Sequence, residues 1–506
     1  MDFLLPAGLI LLGVLVRCLF FGSVPVGFNQ DEASAGYEAF ALLTSGMDRV
    51  GNPWPVLLTA WGSGQNALYT YLSIPIVALL GLNVFSVRLL ALIAGCASLP
   101  LFYLVTRRLG GAGLGLAALF LLAINPWHIL ISRWALESNL FPFFLLLGLW
   151  LLVKGWDEPR ILPFAAFVFA LSLYSYGTAF FFVPLFLLFC LPFFRRAGRL
   201  PAGVFWLSAA VFAVVAFPIA ACNVINLFSL DSVRILGFTL PRLTQPRTVV
   251  TTIFSAGRPL SAAMDNFTAF LKLMVFQEDG LVFNSVPDFG TIYFFSLPIV
   301  LWGIFVSLRR GPFRRSAPGF LFLFALLVCI LCGFLIDVNI NRMNMIYIPL
   351  IYFCAVGLHD LVLQFRRFGL VPVAVYLVSF CLFISVYFTS YQKTMSQWFY
   401  QGLGEAVEYA ETVDAKRVYI TDAPEMPYIF VLFYEKVPPE EFIRTVKYEN
   451  PGDAFQQVSS FGKYTFGRFP EDAEGVYIVH RSEVKKLPEN CVTTQFGNYV
   501  VAVPQS

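Results

Sequence analysis

The sequence predicts an all-α, polytopic membrane protein that ends in a small α/β domain outside the bilayer, and three observations carry this. Of 506 residues 58% are hydrophobic and 13% charged, with a mean hydropathy of +0.74, a composition foreign to soluble globules. Apolar runs long enough to span a bilayer recur along residues 1–390. Residues 391–506 differ: they hold 16 Asp/Glu against 11 Lys/Arg, whereas residues 1–390 hold 15 against 23. The chain thus divides into a basic membrane part and an acidic tail, with no footprint of nucleic-acid binding.

Phe3 to Phe21 has neither a basic n-region nor a small-residue cleavage site, so it reads as a retained anchor. Eleven spans are expected, near 3–22, 86–106, 112–127, 139–153, 161–174, 178–194, 201–221, 291–308, 318–336, 343–362 and 370–390. Gln65–Gly81 is also apolar enough to cross. Leaving it out places Arg107/Arg108, Lys154/Arg160, Arg195/Arg196/Arg199, Arg309/Arg310/Arg314/Arg315 and Arg366/Arg367 in alternate loops, a consistent cytoplasmic set. The N-terminus is therefore expected in the cytoplasm and 65–81 at the outer interface. Loops 23–85, 128–138 and 222–290 and the tail 391–506 then face outward. In the tail, β-like runs at Arg417–Thr421, Gly475–His480 and Tyr499–Val503 alternate with helical stretches at Gly404–Asp414 and Pro438–Val446, without a catalytic cluster. The nine cysteines sit mostly inside apolar runs and imply no disulfide framework, and Cys329-Ile-Leu-Cys332 has no acid or His beside it to complete a zinc site.

This topology sorts the acids. Eleven of the 15 in the membrane part fall outside, and only Asp2, Asp157, Glu158 and Asp360 fall inside. The stretch Phe28–Glu38 follows the first span and carries the adjacent pair Asp31 and Glu32. Asn29 followed by Glu32 is also a helix-start signal, so capping and chemistry both stand as readings of the pair. Arg88, Arg133 and Arg342 lie at outer mouths of spans, against the positive-inside bias. Each reads either as the partner of an anion or as a side chain snorkelling to headgroups. Arg133 and Glu137 share a face if their loop is helical, and there they pair with each other. Gln65, Asn66 and Tyr69 in the first loop, Tyr174 and Tyr176 in a short outer turn, and Asn339 before the tenth span add polar and aromatic groups suited to sugar binding. Trp54 and Trp61 taken singly read as interfacial anchors.

Carboxylates and arginines at an outer membrane surface suit a reaction on a lipid-linked anion. A sugar already attached to polyprenyl phosphate needs only a base for the acceptor hydroxyl and cations for the departing phosphate. Neither a Walker loop nor a dinucleotide fingerprint is present. A transporter or flippase, and a non-catalytic glycan-assembly subunit, are the alternatives. The first would show ionisable residues in mid-span and related halves, which the sequence lacks.

Asp31-Glu32, Asn66-Ala67-Leu68-Tyr69, Gly81, Arg88-Leu89-Leu90, Ile131-Ser132-Arg133, Asn139-Leu140-Phe141-Pro142 and Tyr174-Ser175-Tyr176-Gly177 together resemble bacterial members of the protein O-mannosyltransferase and aminoarabinose transferase superfamily. The resemblance covers most of residues 1–390. It implies a GT-C glycosyltransferase fold of about eleven transmembrane helices plus interfacial helices, in a bacterial plasma membrane, with a polyprenyl-phosphate sugar as donor and a glycan, protein or lipid as acceptor. It implies Asp31 as base with Glu32 beside it, Glu137 as a second acid, and Arg88 and Arg342 near the lipid phosphate. Aminoarabinose transferases carry a Lys-Pro-Pro-Leu motif where this chain has Gln65-Asn66-Ala67-Leu68, so phosphate duty shifts to arginines. Some relatives bind a metal near this loop; with His128, His359 and His480 as the only histidines, neither metal nor cofactor is expected here.

Overall fold

The computed structural model describes residues 4–246, 252–255, 257–309, 318–365, 369–467 and 474–505. Asp2, the first residue of the first expected span, and the expected cytoplasmic Arg310, Arg314, Arg315, Arg366 and Arg367 lie outside the described residues. Through the membrane part run α1 (Leu4–Cys18), α2 (Gln30–Ser45), α3 (Leu68–Leu80), α4 (Val84–Ala123), α5 (Pro126–Ile131), α6 (Phe141–Gly155) and α7 (Leu162–Ser172). They continue as α8 (Ala179–Arg196), α9 (Ala202–Leu227), α10 (Pro259–Phe276), α11 (Ser296–Arg309), α12 (Phe320–Leu335), α13 (Tyr347–Phe365) and α14 (Leu370–Phe388). Among the described residues six helical stretches are long and apolar enough to cross a membrane, and five shorter apolar helices, α3 among them, accompany them. This is a multi-pass membrane protein. On α9, Trp206, Val214 and Phe217 are exposed, as suits a helix whose outer face meets lipid.

The expected spans 86–106 and 112–127 are two arms of α4. Gly110 and Gly111 break the helix with non-helical backbone, Gly111 at φ +83°, where a side chain would be strained. The arms fold back so closely that a Cβ on Gly115 would sit 3.0 Å from both the Tyr103 ring and the Arg107 side chain.

Helix ends leave carbonyls without partners, and two buried arginines take them up. Arg17 on α1 donates to the carbonyls of Leu122 and Ala123 at the end of α4, at 3.0 and 3.1 Å, and through Nη2 to His128 Nδ1 at 2.6 Å. Arg133 donates to the carbonyls of Val16 (3.1 Å), Arg17 (2.7 Å), Leu19 (2.6 Å) and Val24 (3.0 Å) at the end of α1.

Four short strands lie in the outer loops: β1 (Leu57–Leu58) pairs with β2 (Gln65–Asn66), and β3 (Val233–Ile235) with β4 (Phe238–Leu240). The tail adds α15 (Tyr391–Trp398), α16 (Leu403–Glu411), β5 (Val418–Ile420), α17 (Tyr428–Tyr434), α18 (Pro439–Thr445), β6 (Lys447–Tyr448), β7 (Val458–Phe461), β8 (Tyr464–Phe466), β9 (Val476–His480), β10 (Cys491–Phe496) and β11 (Tyr499–Pro504). These seven strands form one mixed sheet in the order β10-β11-β9-β5-β8-β7-β6, with β5 parallel to both β8 and β9. The sequence foresaw β5, β9, β11, α16 and α18. It missed the strands of two to six residues whose apolar alternation is too short to register.

The tail does not stand apart from the first outer loop. Phe28 meets Phe433 at a ring distance of 4.7 Å, Tyr37 Oη donates to the Val437 carbonyl at 2.8 Å, and Arg49 Nη1 donates to Tyr428 Oη at 3.3 Å. The loop from Asn450 to Gln456 then reaches the turn between β1 and β2, where Gln456 N donates to the Trp61 carbonyl at 2.8 Å. Gly62, at φ +107°, allows this approach: a Cβ there would lie 2.8 Å from the Asp453 carbonyl oxygen. One apolar core joins α2 to α16 and α17.

Candidate active site

The N-terminus of α2 decides how the acidic pair is used. Asn29 caps the helix, and Glu32 reaches back to the Asn29 N–H at 3.1 Å, completing a capping box. Glu32 is fully buried and also accepts from Ala135 N at 2.9 Å and from Arg88 Nε and Nη2 at 2.8 Å each. Arg88 spends its other N–H groups on the carbonyls of Gly22, Pro25 and Gly27. Both charges of this pair are consumed in joining the first loop, the α4 start and the second loop. One residue earlier, Asp31 is only half-buried and faces a cavity.

That cavity, of about 370 Å³, is lined from seven stretches of the chain. It gathers Asp31 from α2, Gln65 from β2, Glu137 from the second outer loop, Tyr176 from the short turn, and Asn339 and Arg342 from the segment before α13. A narrower cleft shares Ser63, Glu137, Tyr176 and Arg342 with it and adds Asn66 and Thr178. Gln65 is held by Ser34 Oγ, which donates to its Oε1 at 3.0 Å. Glu137 begins a short 3-10 turn, Glu137–Leu140, and its carboxylate accepts the Asn66 N–H. Arg342 is fixed through its backbone, whose N–H donates to Asn339 Oδ1 at 2.8 Å, while its guanidinium meets only Asp337 among the described residues, at 3.3 to 3.4 Å. At the rim, Gln30 Nε2 donates to Glu425 of the tail at 3.0 Å. Burial, and then the Asp31 charge, push the Glu425 carboxyl up.

Several expected site residues lie elsewhere. Glu32 and Arg88 form the buried pair, and Arg133 is enclosed by the four carbonyls at the end of α1. Arg133 therefore does not pair with Glu137: the helix before them ends at Ile131 and the next turn starts at Glu137, so the i, i+4 relation of a helix does not exist. Tyr69 is buried with its hydroxyl donating to the Val87 carbonyl at 2.7 Å, and Tyr174 donates to the Val215 carbonyl at 2.7 Å. Neither lines the cavity. The sequence reading missed Ser63, Trp134, Phe283, Asp337 and the tail residues Ala454 and Phe455, which also line it. Asp337, five residues before Arg342 with Asn339 between them, was within reach of motif reading; the tail residues carry no local signal. Among the described residues no three His, Cys, Asp or Glu side chains group closely enough to hold a metal ion.

Fold and site together define the class: a multi-pass, mostly helical membrane protein with an acid-lined cavity between its helical part and a C-terminal mixed sheet. Residues 67–221 match the model of the dolichyl-phosphate-mannose-protein mannosyltransferase family. The chain is similar in structure to ArnT from Cupriavidus metallidurans bound to undecaprenyl phosphate, at a TM-score of 0.59 and 13% identity over 98% of this chain and 97% of that one. The apo state of the same protein gives a TM-score of 0.57 at 12% identity, covering 98% of both chains. The oligosaccharyltransferase of Archaeoglobus fulgidus in complex with Zn and sulfate matches at 0.50 and 14% identity over 86% of this chain. This chain spans less than two thirds of the archaeal chains, 64% and 62%. No curated protein sequence matches the chain.

Proposed function

We propose that the protein is a membrane glycosyltransferase that moves a sugar from a polyprenyl-phosphate donor to an acceptor hydroxyl on the outer face of a bacterial plasma membrane, with inversion. The observation that carries this is the convergence of Asp31, Glu137 and Arg342 on one cavity in a chain whose residues 67–221 match a family named for a lipid-phosphate sugar donor. Asp31 takes the acceptor proton as the acceptor oxygen attacks the sugar C1. The bond from C1 to the phosphate oxygen breaks, and its electron pair leaves with the polyprenyl phosphate. Arg342 is the cation for that phosphate; Arg88, with its N–H groups spent on Glu32 and on backbone carbonyls, and Arg133, held through Nη1 and Nη2 by four backbone carbonyls, keep the frame. Glu137 orients the Asn66 strand and stands as the second acid beside the reacting centre. No step calls for a cofactor.

In the same proposal the chain crosses the membrane eleven times, with the N-terminus in the cytoplasm and the tail outside. The ion pair of Arg108 with Asp157, at 2.8 Å, supports placing those two loops on one face.

The test is release of polyprenyl phosphate from a panel of polyprenyl-phosphate sugars by the purified protein with envelope extract, beside Asp31→Asn. The proposal expects one donor to be consumed and the variant to lose about a hundredfold or more. Equal consumption by both proteins removes Asp31 as base and leaves Glu137 as the next candidate. A protein that consumes none and instead moves donor across liposome membranes is a flippase.

A further inference from the structure

We propose that the wider chamber is the acceptor subsite and that the acceptor is a neutral saccharide, held by the Trp134 indole N–H and flanked by the tail's Phe455. This rests on the transferase reading and names the acceptor class for it.

The first support is a pair of buried polar atoms without partners. Trp134 is 3% and Ser63 2% exposed, yet Trp134 Nε1 and Ser63 Oγ have no hydrogen-bond partner among the described residues. Both residues line the chamber. A buried indole N–H is ordinarily paired, so an unpaired one on a residue that lines a cavity points to a ligand oxygen as its partner. Its ring is locked in place by Phe283 at 5.2 Å and Phe399 at 5.6 Å, so the N–H has a fixed direction.

The second support is the chamber's balance of rings and charge. Trp61, Trp134, Phe283 and Phe455 surround it, and rings of this kind pack against the apolar faces of sugars while hydroxyls reach the polar groups between them. Its charges are Asp31, Glu137 and Asp337 against Arg342, which is itself beside Asp337. An anionic acceptor would meet three carboxylates there. The narrower cleft beyond Ser63, with Phe180, Phe181 and Ile336 in its lining, is left for the donor.

The third support is that Phe455 reaches the chamber from the tail. It is half exposed, and its neighbour Gln456 is bonded to the Trp61 backbone, so the tail forms part of the wall.

Saturation-transfer NMR on the full-length protein in nanodiscs, without donor, tests this with neutral gluco-, manno- and galacto-tetraoses, an oligogalacturonate and a Ser/Thr peptide. At least one neutral tetraose is expected to bind. Trp134→Phe, which keeps a ring and removes the N–H, should weaken it roughly tenfold, and Phe455→Ala should weaken it while Phe455→Tyr restores it. Thermal melts of the variants within a few degrees of wild type keep the comparison valid. Binding of the peptide or the oligogalacturonate in place of the tetraoses overturns the inference, as does a Trp134→Phe protein that binds like wild type. Tetraose binding that responds to these variants, in a protein whose Asp31→Asn form consumes donor normally, overturns Asp31 as base alone. Donor consumption lost in Asp31→Asn with no saccharide bound overturns the saccharide subsite alone.

Discussion

Arg88 and Arg342 both stand beside a carboxylate, and their surroundings give them opposite roles. Arg88 donates all five of its N–H groups to Glu32 and three carbonyls inside the protein. Removing it strands the buried Glu32 charge, so Arg88→Ala should cost about 3–5 kcal/mol of stability and show as a lower melting temperature in detergent. Arg342 is partly exposed at a cavity wall, so Arg342→Ala should melt close to wild type and lose on the order of a hundredfold in turnover. If Arg342→Ala instead unfolds and Arg88→Ala melts normally, the two assignments are reversed. Glu435 in the tail supplies a pH signature. Burial, and then the charges of Glu411 and Glu408, push its carboxyl up to about 7 against relief from Lys463. A carboxyl whose folded pKa is raised binds its proton more tightly in the folded state, so stability falls as pH rises from the unfolded value, near 4.3, through about 7. Glu435→Gln should flatten that part of the melting-temperature profile between pH 5 and pH 8; an unchanged slope would remove Glu435 as its source.

Among the elements, the β1–β2 turn is the one on which the loop from Asn450 to Gln456 docks. Gly62→Ala adds a Cβ against the Asp453 carbonyl at a backbone angle that side chains rarely adopt. The expected outcome is a loss of about 1–3 kcal/mol, with faster proteolysis near Asp453. A variant with unchanged melting and protease resistance would show that the tail loop is not seated on this turn. The α4 hairpin shows what element-scale reading does well. Arg107/Arg108 marked a loop between two apolar runs, and the structure reverses direction there, at Gly110 and Gly111. The second outer loop shows where it fails. Arg133 and Glu137 have helical spacing, but Asn125 and Pro126 open a helix of only six residues, and the chain has left it by Ser132.

At the scale of the whole molecule, the tail completes the core of the first outer loop. Truncation after residue 390 uncovers Phe28, Gly36 and Tyr37, which pack on Phe433 and Val437. Residues 1–390 alone should therefore aggregate on size-exclusion chromatography in detergent, whereas the full chain elutes as a single species. A well-behaved truncation would show that the tail is an independent appendage. The sequence by itself determined the membrane class, the mostly helical character of the first 390 residues and the acidic α/β tail. Those follow from hydropathy, charge and periodicity, which are properties of neighbouring residues. It also singled out Asp31, Gln65, Glu137, Tyr176, Asn339 and Arg342, which the fold assembles around one cavity. Only the tertiary structure decided that Glu32 caps and pairs, that Arg88 and Arg133 close helix ends and loops, and that Trp134 and Phe455 border the cavity. A side chain's role depends on which distant carbonyl, carboxylate or ring occupies its donors, and sequence spacing holds no record of partners as far away in the chain as Glu32 is from Arg88 or Val16 from Arg133.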